Sequence, residues 1–204
     1  MRNFIFILLL STFIQLKAQQ RFKAGIKAGL STSQVAGDTY SGYNKAGFTG
    51  GGFLTATVGE KWTGQFEIIY IQKGSRHNGN PEKGDYTYYF LQLDYMEVPL
   101  LLQYRQNKFT YELGTGISFL IKEQEYFNWQ NLTGINPFNK NEVDINLGIS
   151  YTIFNNLGVS WRFSNSITPI RAHASGASRW YNPGQLNNVL AFTLTYRFER
   201  GHTE

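Results

Sequence analysis

Few side chains in this sequence combine the type and spacing that catalysis or metal binding requires. Ser166 or Ser175 with His173 and Asp85 would supply the groups of a hydrolase, but no motif joins them. Cysteine is absent, which excludes thiol nucleophiles and Cys-ligated metals. We therefore predict no catalytic, cofactor-binding or metal-binding residues. The histidines also lie too far apart for a metal site on one element, at positions His77, His173 and His202.

Most other ionisable residues alternate with bulky apolar residues. Glu67 stands between Phe66 and Ile68, and Arg162 is flanked in the same way. A period of two puts charged side chains on one face of a β-strand and apolar side chains on the other. We expect the following charged residues to meet inside the fold as a structural network: Lys27, Glu67, Lys73, Glu97, Glu112, Asp144, Arg162 and Arg197.

Eight predicted β-strands must position this network. Each alternates in polarity, and no window holds the run of about 20 apolar residues that a membrane-spanning helix needs. The connectors alternate between tight turns and long polar loops, which is typical of an up-and-down meander. The strands are predicted at residues 21–30, 46–58, 62–73, 88–104, 109–121, 142–154, 157–166 and 188–198.

The face with bulky side chains carries almost no charge in all eight strands. In hydrocarbon every backbone N–H and C=O must be paired, so a sheet there has to close on itself. We predict an all-β fold, an eight-stranded antiparallel transmembrane β-barrel with its apolar face toward outer-membrane lipid. The lumen of such a barrel is only wide enough for side chains, so its opposite charges should pair. A proton or ion path is the alternative interpretation of the network.

The fourth strand has two halves in conflicting phase. Leu91, Leu93 and Tyr95 share the phase of Glu97, although the second half places its apolar residues in the other phase. One extra residue flips the phase of a strand, so a β-bulge near Tyr95 would reconcile the halves. The alternative is that the first half projects beyond the membrane.

Residues 1–18 have the pattern of a cleaved signal peptide, with Arg2 followed by an apolar run and a small residue, Ala18. The run is too short for a membrane anchor, which is the alternative. Residues 19–204 then form one barrel domain exported to the bacterial outer membrane. The formal net charge is +5, and two of those charges, Arg2 and Lys17, belong to the signal, so the remainder does not indicate a nucleic-acid partner.

The predicted long loops are rich in aromatic residues. Such residues often anchor interfaces, so they could form a surface for a protein or glycan partner. They could instead cover the mouth of the barrel. The set comprises Tyr40, Tyr43, Tyr126, Phe127, Trp129, Trp180 and Tyr181.

Three stretches carry a family resemblance: EIIYIQKG at 67–74, YMEVPLL at 95–101 and YRF at 196–198. With them, the chain resembles the PorT-like outer-membrane β-barrel proteins of Bacteroidota over residues 20–198. The resemblance implies an eight-stranded barrel, and most members have no assigned activity. It also implies that the barrel assembly machinery reads the last strand, which ends at Phe198. The six residues after Phe198 depart from that pattern.

Three functional classes follow from these observations. The favoured one is a non-enzymatic outer-membrane barrel with a structural, adhesive or accessory role in a cell-envelope process. The second is a secreted lipocalin-like barrel that holds a small apolar ligand, which would require the bulky face inside. The third is a hydrolase with its site at the barrel rim.

Overall fold

The computed structural model describes residues 22–40, 42–173 and 184–198. The predicted signal peptide, residues 1–18, lies outside the described residues. One 3₁₀ turn, Pro81–Lys83, interrupts the strands, and no helix among the described residues is long and apolar enough to cross a membrane. The strands are β1 (Phe22–Ala36), β2 (Lys45–Thr57), β3 (Trp62–Asn78), β4 (Tyr88–Gln106), β5 (Phe109–Phe127), β6 (Gln130–Asn131), β7 (Asn141–Thr152), β8 (Leu157–Ser166) and β9 (Leu186–Arg197).

Eight strands close into an antiparallel ring. The order is β4-β3-β2-β1-β9-β8-β7-β5, and β4 pairs with β5 to complete the circle. The first strand, β1, pairs with the last strand, β9, as well as with β2. Ala28 pairs with Gly50 of β2 on one side and with Leu194 of β9 on the other. β6 adds only two residues to the tip of β5. The predicted eight-stranded antiparallel barrel is confirmed.

The outer surface of the ring is an apolar band. Leu100, Leu113, Leu147 and Leu194 are each more than half exposed on four different strands. Aromatic rings border the band at the short-turn end, where the centroids of Trp62 and Tyr104 lie 4.9 Å apart. Closed strands satisfy the backbone in lipid, and the apolar band meets the acyl chains. This polarity is the reverse of what a lipocalin-like barrel requires.

The predicted irregularity near Tyr95 is present, but its extra residue lies on β5. Asp94 pairs with Lys122, whereas Tyr95 pairs with Leu120, so Ile121 is left unopposed. The bulge therefore changes the phase of β5. The expectation that β4 itself changes phase is wrong.

The odd-numbered residues of β4 point inward along its whole length. Leu91, Leu93, Tyr95 and Glu97 are all buried. The inward side chains are apolar in the first half of β4 and include the charged Glu97 in the second half, and this change reflects the surroundings of the strand. We infer that water surrounds its first half, because the apolar side chains of that half face inward. The burial pattern agrees with the alternative interpretation, a strand that projects beyond the membrane.

The projecting part is built by the longest strands, β3, β4 and β5, of 17, 19 and 19 residues. We name it the external extension: residues 72–78 of β3, 88–94 of β4 and 121–127 of β5, with the loops that they carry. Part of the predicted loop 74–87 is thus strand. Its interior is closed by an apolar cluster, the cap core, of Val35, Ile71, Tyr89, Leu91, Leu93, Tyr95, Phe138, Ile170 and Val189.

Candidate functional site

The lumen below the cap core contains two ion-pair clusters, and β1, β3, β5 and β8 supply the first. In this Arg162 cluster, Arg162 donates to Glu67 at Nη1–Oε2 2.7 Å and Nη2–Oε1 2.8 Å, and to Glu112 at Nε–Oε1 2.7 Å. Lys27 Nζ donates to Glu67 Oε1 at 3.0 Å. Two cations thus neutralise two carboxylates, and all four side chains are buried.

β3, β4 and β7 supply the Lys73 cluster, which lies nearer the long loops. Lys73 Nζ approaches Glu142 Oε1 at 2.5 Å, Glu97 Oε2 at 3.1 Å and Asp144 Oδ2 at 3.9 Å. One ammonium therefore serves three carboxylates. The neutral donor Asn187 also contributes, with a hydrogen bond of 2.7 Å from Nδ2 to Glu142 Oε2.

Further neutral donors complete the shell around the Lys73 cluster. Ser118 donates to Asp144 at 3.0 Å, and Asn146 donates to the same carboxylate at 2.6 Å. Hydrogen bonds from hydroxyl and amide groups stabilise carboxylates for which no second cation is present. The arrangement holds three buried carboxylates around one ammonium.

A cavity of about 10 Å³ separates the two clusters, lined by residues that include Lys27, Glu97 and Arg162. Two side-chain oxygens in its wall, Asn146 Oδ1 and Ser164 Oγ, have no hydrogen-bond partner. A space of this size holds about one water molecule. It is far too small for a file of hydrated ions.

The structure brings together seven of the eight residues in the predicted network. Arg197 lies apart from both clusters, at the short-turn mouth, where Arg105 is its charged neighbour. Sequence reasoning missed Glu142, which is buried beside Lys73. Its signal was present, because Glu142 precedes Asp144 by two residues and therefore shares its face.

The cap core carries its own buried ion pair. Arg171 Nη1 donates to Glu125 Oε2 at 2.8 Å, and the hydroxyl of Tyr89 donates to Glu125 Oε1 at 2.8 Å. Burial disfavours the charge of Arg171, but the hydrogen bonds and charge of Glu125 outweigh it and raise the pKa of the guanidinium. Burial and Glu125 together raise the pKa of Tyr89. The group joins Arg171, which follows β8 in the chain, to β4 and β5.

An aromatic stack covers the side of the external extension. The ring of Tyr40 lies 4.9 Å from that of His77 and 4.8 Å from that of Tyr89. Nearby, Asp38 is buried and accepts from the backbone N–H of Tyr40 at 2.8 Å. Burial raises the pKa of Asp38, although hydrogen bonds from Ser75 and Tyr40 oppose the shift.

Two of the residues considered for a hydrolase make other contacts among the described residues. Asp85 pairs with His77, at 2.8 Å between Oδ2 and Nε2. The backbone hydrogen bond from Thr87 and the contact with His77 lower the pKa of Asp85. Ser166 is buried and its hydroxyl accepts from the N–H of Asn187. Ser175 lies outside the described residues.

Metal binding has no support in the part of the chain that the structure describes. No group of three or more His, Asp or Glu side chains there is arranged to hold an ion. The carboxylates of the Lys73 cluster surround an ammonium instead.

The aromatic loop residues divide into two groups. Tyr40 packs into the stack on the extension, whereas Trp129 is 79 % exposed at its tip. Tyr86, which sequence reasoning did not single out, is 78 % exposed. Trp180 and Tyr181 lie outside the described residues. Some of the described rings therefore pack against the extension, and others face outward.

Comparison with known proteins supports the assignment of the fold as an outer-membrane β-barrel. The profile of the outer membrane protein beta-barrel domain family matches residues 14–171. Among solved structures, Neisserial surface protein A (NspA) is similar at 11 % identity, covering 86 % of this chain and 97 % of that one with a TM-score of 0.54. Ail of Yersinia pestis is similar at 12 % identity, covering 87 % and 99 % with a TM-score of 0.49.

No curated protein sequence matches the chain. The likeness to NspA shows the fold, and the family profile covers most of the chain. Together with the lipid-facing band, these findings locate the protein in the bacterial outer membrane. The chain belongs to the outer membrane protein beta-barrel domain family.

Proposed function

We propose that the protein is a sealed, non-enzymatic barrel whose external extension docks a protein or glycan partner, in an adhesive role. The observation that carries this proposal is the exposed aromatic tip of the extension. Trp129 and Tyr86 are 79 % and 78 % exposed, and Ile135 is 73 % exposed. Large exposed aromatic side chains are the residues that most often anchor a partner.

The tip is held in a fixed conformation. Asn128 and Trp129 form the turn between β5 and β6 with φ values of 45° and 68°. A bulky residue rarely adopts this left-handed conformation, and such local strain is concentrated at binding sites. The indole stacks on Tyr88, with 4.2 Å between ring centroids and 4° between planes. The Asn128 N–H also donates to Tyr88 O at 2.8 Å. A preorganised ring loses little freedom when a partner binds.

The interior of the barrel supports a docking role over transport. The cap core and the two ion-pair clusters lie in series along the axis, and the cavity between the clusters has a volume of about 10 Å³. Cations and neutral hydrogen-bond donors hold the buried carboxylates of the clusters in place. These features favour a framework for the loops over a pore or an enzyme.

Cell adhesion tests the proposal. Cells that display the wild-type protein should bind to one another, or to immobilised partner cells, more strongly than cells with Trp129→Ala or Tyr86→Ala. Phe154→Ala is the matched control, because Phe154 is 66 % exposed at the opposite, short-turn end. Equal adhesion of all variants at equal surface expression would refute a docking role for the tip.

We also propose the features of export that the sequence predicts. The signal peptide is cleaved after Ala18, and the assembly machinery recognises the strand that ends at Phe198. The motif at 95–101 supports a place among the PorT-like proteins of Bacteroidota. Mass spectrometry of the mature N-terminus tests the cleavage site. A Phe198→Ala variant that reaches the outer membrane at wild-type levels would contradict the assembly role.

A further inference from the structure

The short-turn mouth of the barrel contains a polar pocket of about 70 Å³. Four basic side chains from four different segments line it, and Glu60 is the acidic residue among its lining. Threonine hydroxyls add neutral donors to the wall, from Thr55, Thr57 and Thr63. Antiparallel strands bring these positions together because each basic residue lies at the beginning or end of a strand, or in a short turn, at the same edge of the sheet. The basic residues are Lys23, Lys61, Arg105 and Arg197.

The positive charge of the pocket exceeds its negative charge, because four basic side chains share the lining with one carboxylate, Glu60. Among the described residues, none of the four basic side chains forms an ion pair with a carboxylate. The nearest carboxylates in the lumen, Glu67 and Glu112, are already neutralised by Lys27 and Arg162. Arg105 and Arg197 are close enough to repel each other. Such an arrangement is stabilised when an anion enters.

The backbone holds the two guanidinium-bearing residues in place. The N–H of Arg105 donates to Lys61 O at 2.8 Å, which joins the ends of β3 and β4. The N–H of Arg197 donates to Asn156 O at 2.8 Å, in the turn between β7 and β8. The cations are therefore presented by ordered strand ends rather than by long loops.

A layer of amides forms the floor of the pocket. Gln103 Nε2 donates to Gln65 Oε1 at 3.0 Å and to Glu112 Oε2 at 3.2 Å. This layer separates the pocket from the Arg162 cluster above it. The pocket consequently opens only away from the lumen, toward the side of the short turns, which is the periplasmic side in this architecture.

We propose that this pocket binds an oxyanion of the phosphate class. Guanidinium groups recognise phosphate through paired hydrogen bonds, ammonium groups add charge, and threonine hydroxyls can donate to remaining oxygens. The volume suits one tetrahedral oxyanion. The same chemistry is offered by free phosphate, by a phosphate ester in the periplasm and by the headgroup of an anionic lipid in the inner leaflet.

Titration of the purified full-length protein with inorganic phosphate tests the proposal. In a zwitterionic detergent at constant ionic strength, isothermal titration should show saturable binding, with chloride as the inert counterion. Arg197→Gln and Arg105→Gln should each weaken it by about tenfold or more, as expected for loss of a charge-assisted contact of about 1.4 kcal/mol. Lys108→Gln is the matched control, because Lys108 lies at the same end but over the outer ring of Tyr151, 6.0 Å from its centroid.

Folding of each variant is checked by its heat-modifiable migration on a gel, and Lys23→Gln replaces any variant that does not fold. No saturable binding by the wild-type protein would overturn the proposal. So would an equal loss in Lys108→Gln and Arg197→Gln, since that result would indicate an adventitious ion attracted by net charge.

A second pair of titrations identifies the source of the oxyanion. Inorganic phosphate is added to the protein in vesicles of phosphatidylcholine and in vesicles that also contain phosphatidylglycerol. Equal affinity in both compositions supports a soluble oxyanion as the ligand. A lower affinity for phosphate in vesicles with phosphatidylglycerol supports a lipid headgroup in the same pocket, provided that the difference between the two compositions disappears in Arg197→Gln. Absence of binding in both vesicles would refute the site.

Discussion

Arg162 and Glu67 are 95 residues apart in sequence, yet they join opposite walls of the lumen through two hydrogen bonds of 2.7 and 2.8 Å. The guanidinium fork matches both oxygens of the carboxylate, and its Nε binds Glu112. One side chain of β8 thereby connects β3 and β5 across the barrel. Arg162 and its two carboxylate partners fix the relative positions of three strands, no two of which are neighbours in the sheet.

Arg162→Met should destabilise the barrel by about 3–5 kcal/mol, because Lys27 alone would then face two buried carboxylates. Unfolding by urea in lipid vesicles measures the change. Arg76→Met is the matched control, since Arg76 is exposed on the external extension, and its cost should stay within about 0.5 kcal/mol. A similar cost for the two variants would show that the lumen pair is not important for stability.

The glycine run of β2 gives a pair of substitutions with opposite expectations. A Cβ on Gly51 would lie 2.1 Å from Ile68 O and 2.7 Å from Ile69 Cα, so the backbone of β3 would have to move. A Cβ on Gly52 would lie 3.8 Å from Gly25 O, which is an ordinary contact. Gly51→Ala should cost about 1–3 kcal/mol through overpacking.

Gly52→Ala should be neutral or slightly stabilising, because the folded conformation accepts a side chain and the unfolded chain loses freedom. Both variants are compared by urea unfolding in the same vesicles. If Gly52→Ala were the more damaging of the two, the close approach of β2 and β3 at Gly51 would not be the reason for a glycine there.

The buried carboxyl of Asp38 should make the loop between β1 and β2 sensitive to pH. Burial raises its folded pKa above 3.8, so protonation is favoured in the folded state. The resulting stabilisation is fully present below pH 3.8 and is lost as the pH rises through the raised pKa. Asp38→Asn should remove this loss and protect the loop at neutral pH, because an amide oxygen can still accept from Tyr40. Hydrogen exchange of the Tyr40 backbone amide, corrected for intrinsic rates, measures this protection of the loop.

Asp85→Asn is the control with the opposite sign. The hydrogen bond from Thr87 and the contact with His77 lower the pKa of Asp85, so its contribution is present above pH 3.8 and is lost as the pH falls through the lowered value. Asparagine at this position should weaken the protection of Thr87 at neutral pH. Parallel pH profiles for the two loops would contradict both assignments.

Alternation of polarity predicted the strands because lipid imposes one constant environment on the outer face. β8 begins at Leu157 and ends at Ser166, as predicted. Prediction of the ends of β1, β3 and β5 was poorer, since these strands leave the membrane. There the environment changes from lipid to water, and the polarity of the two faces reverses within one strand. A pattern rule that assumes a single environment places a loop at that point.

The lumen residues show a second limit of sequence reasoning. The period of two fixes the face on which Arg197 and Arg162 lie, but not their height along the barrel axis. That height follows from the stagger between strands, through which Arg162 pairs with Ala191 while Arg197 pairs with Gly25. Stagger arises from contacts of the whole ring. The two arginines therefore share a face and belong to different sites.

The cap core and the two ion-pair clusters close the lumen in series, and this arrangement leads to a prediction about conductance. The wild-type barrel in planar bilayers should show no stable current steps, because the cap core and both ion-pair clusters would have to open together. Ile170→Asp should loosen only the cap core, where Ile170 is fully buried, and should also remain closed. Heat-modifiable migration of the same samples verifies that folded protein was added. Long-lived steps from the folded wild-type protein would mean that the buried clusters line a pathway instead of closing it.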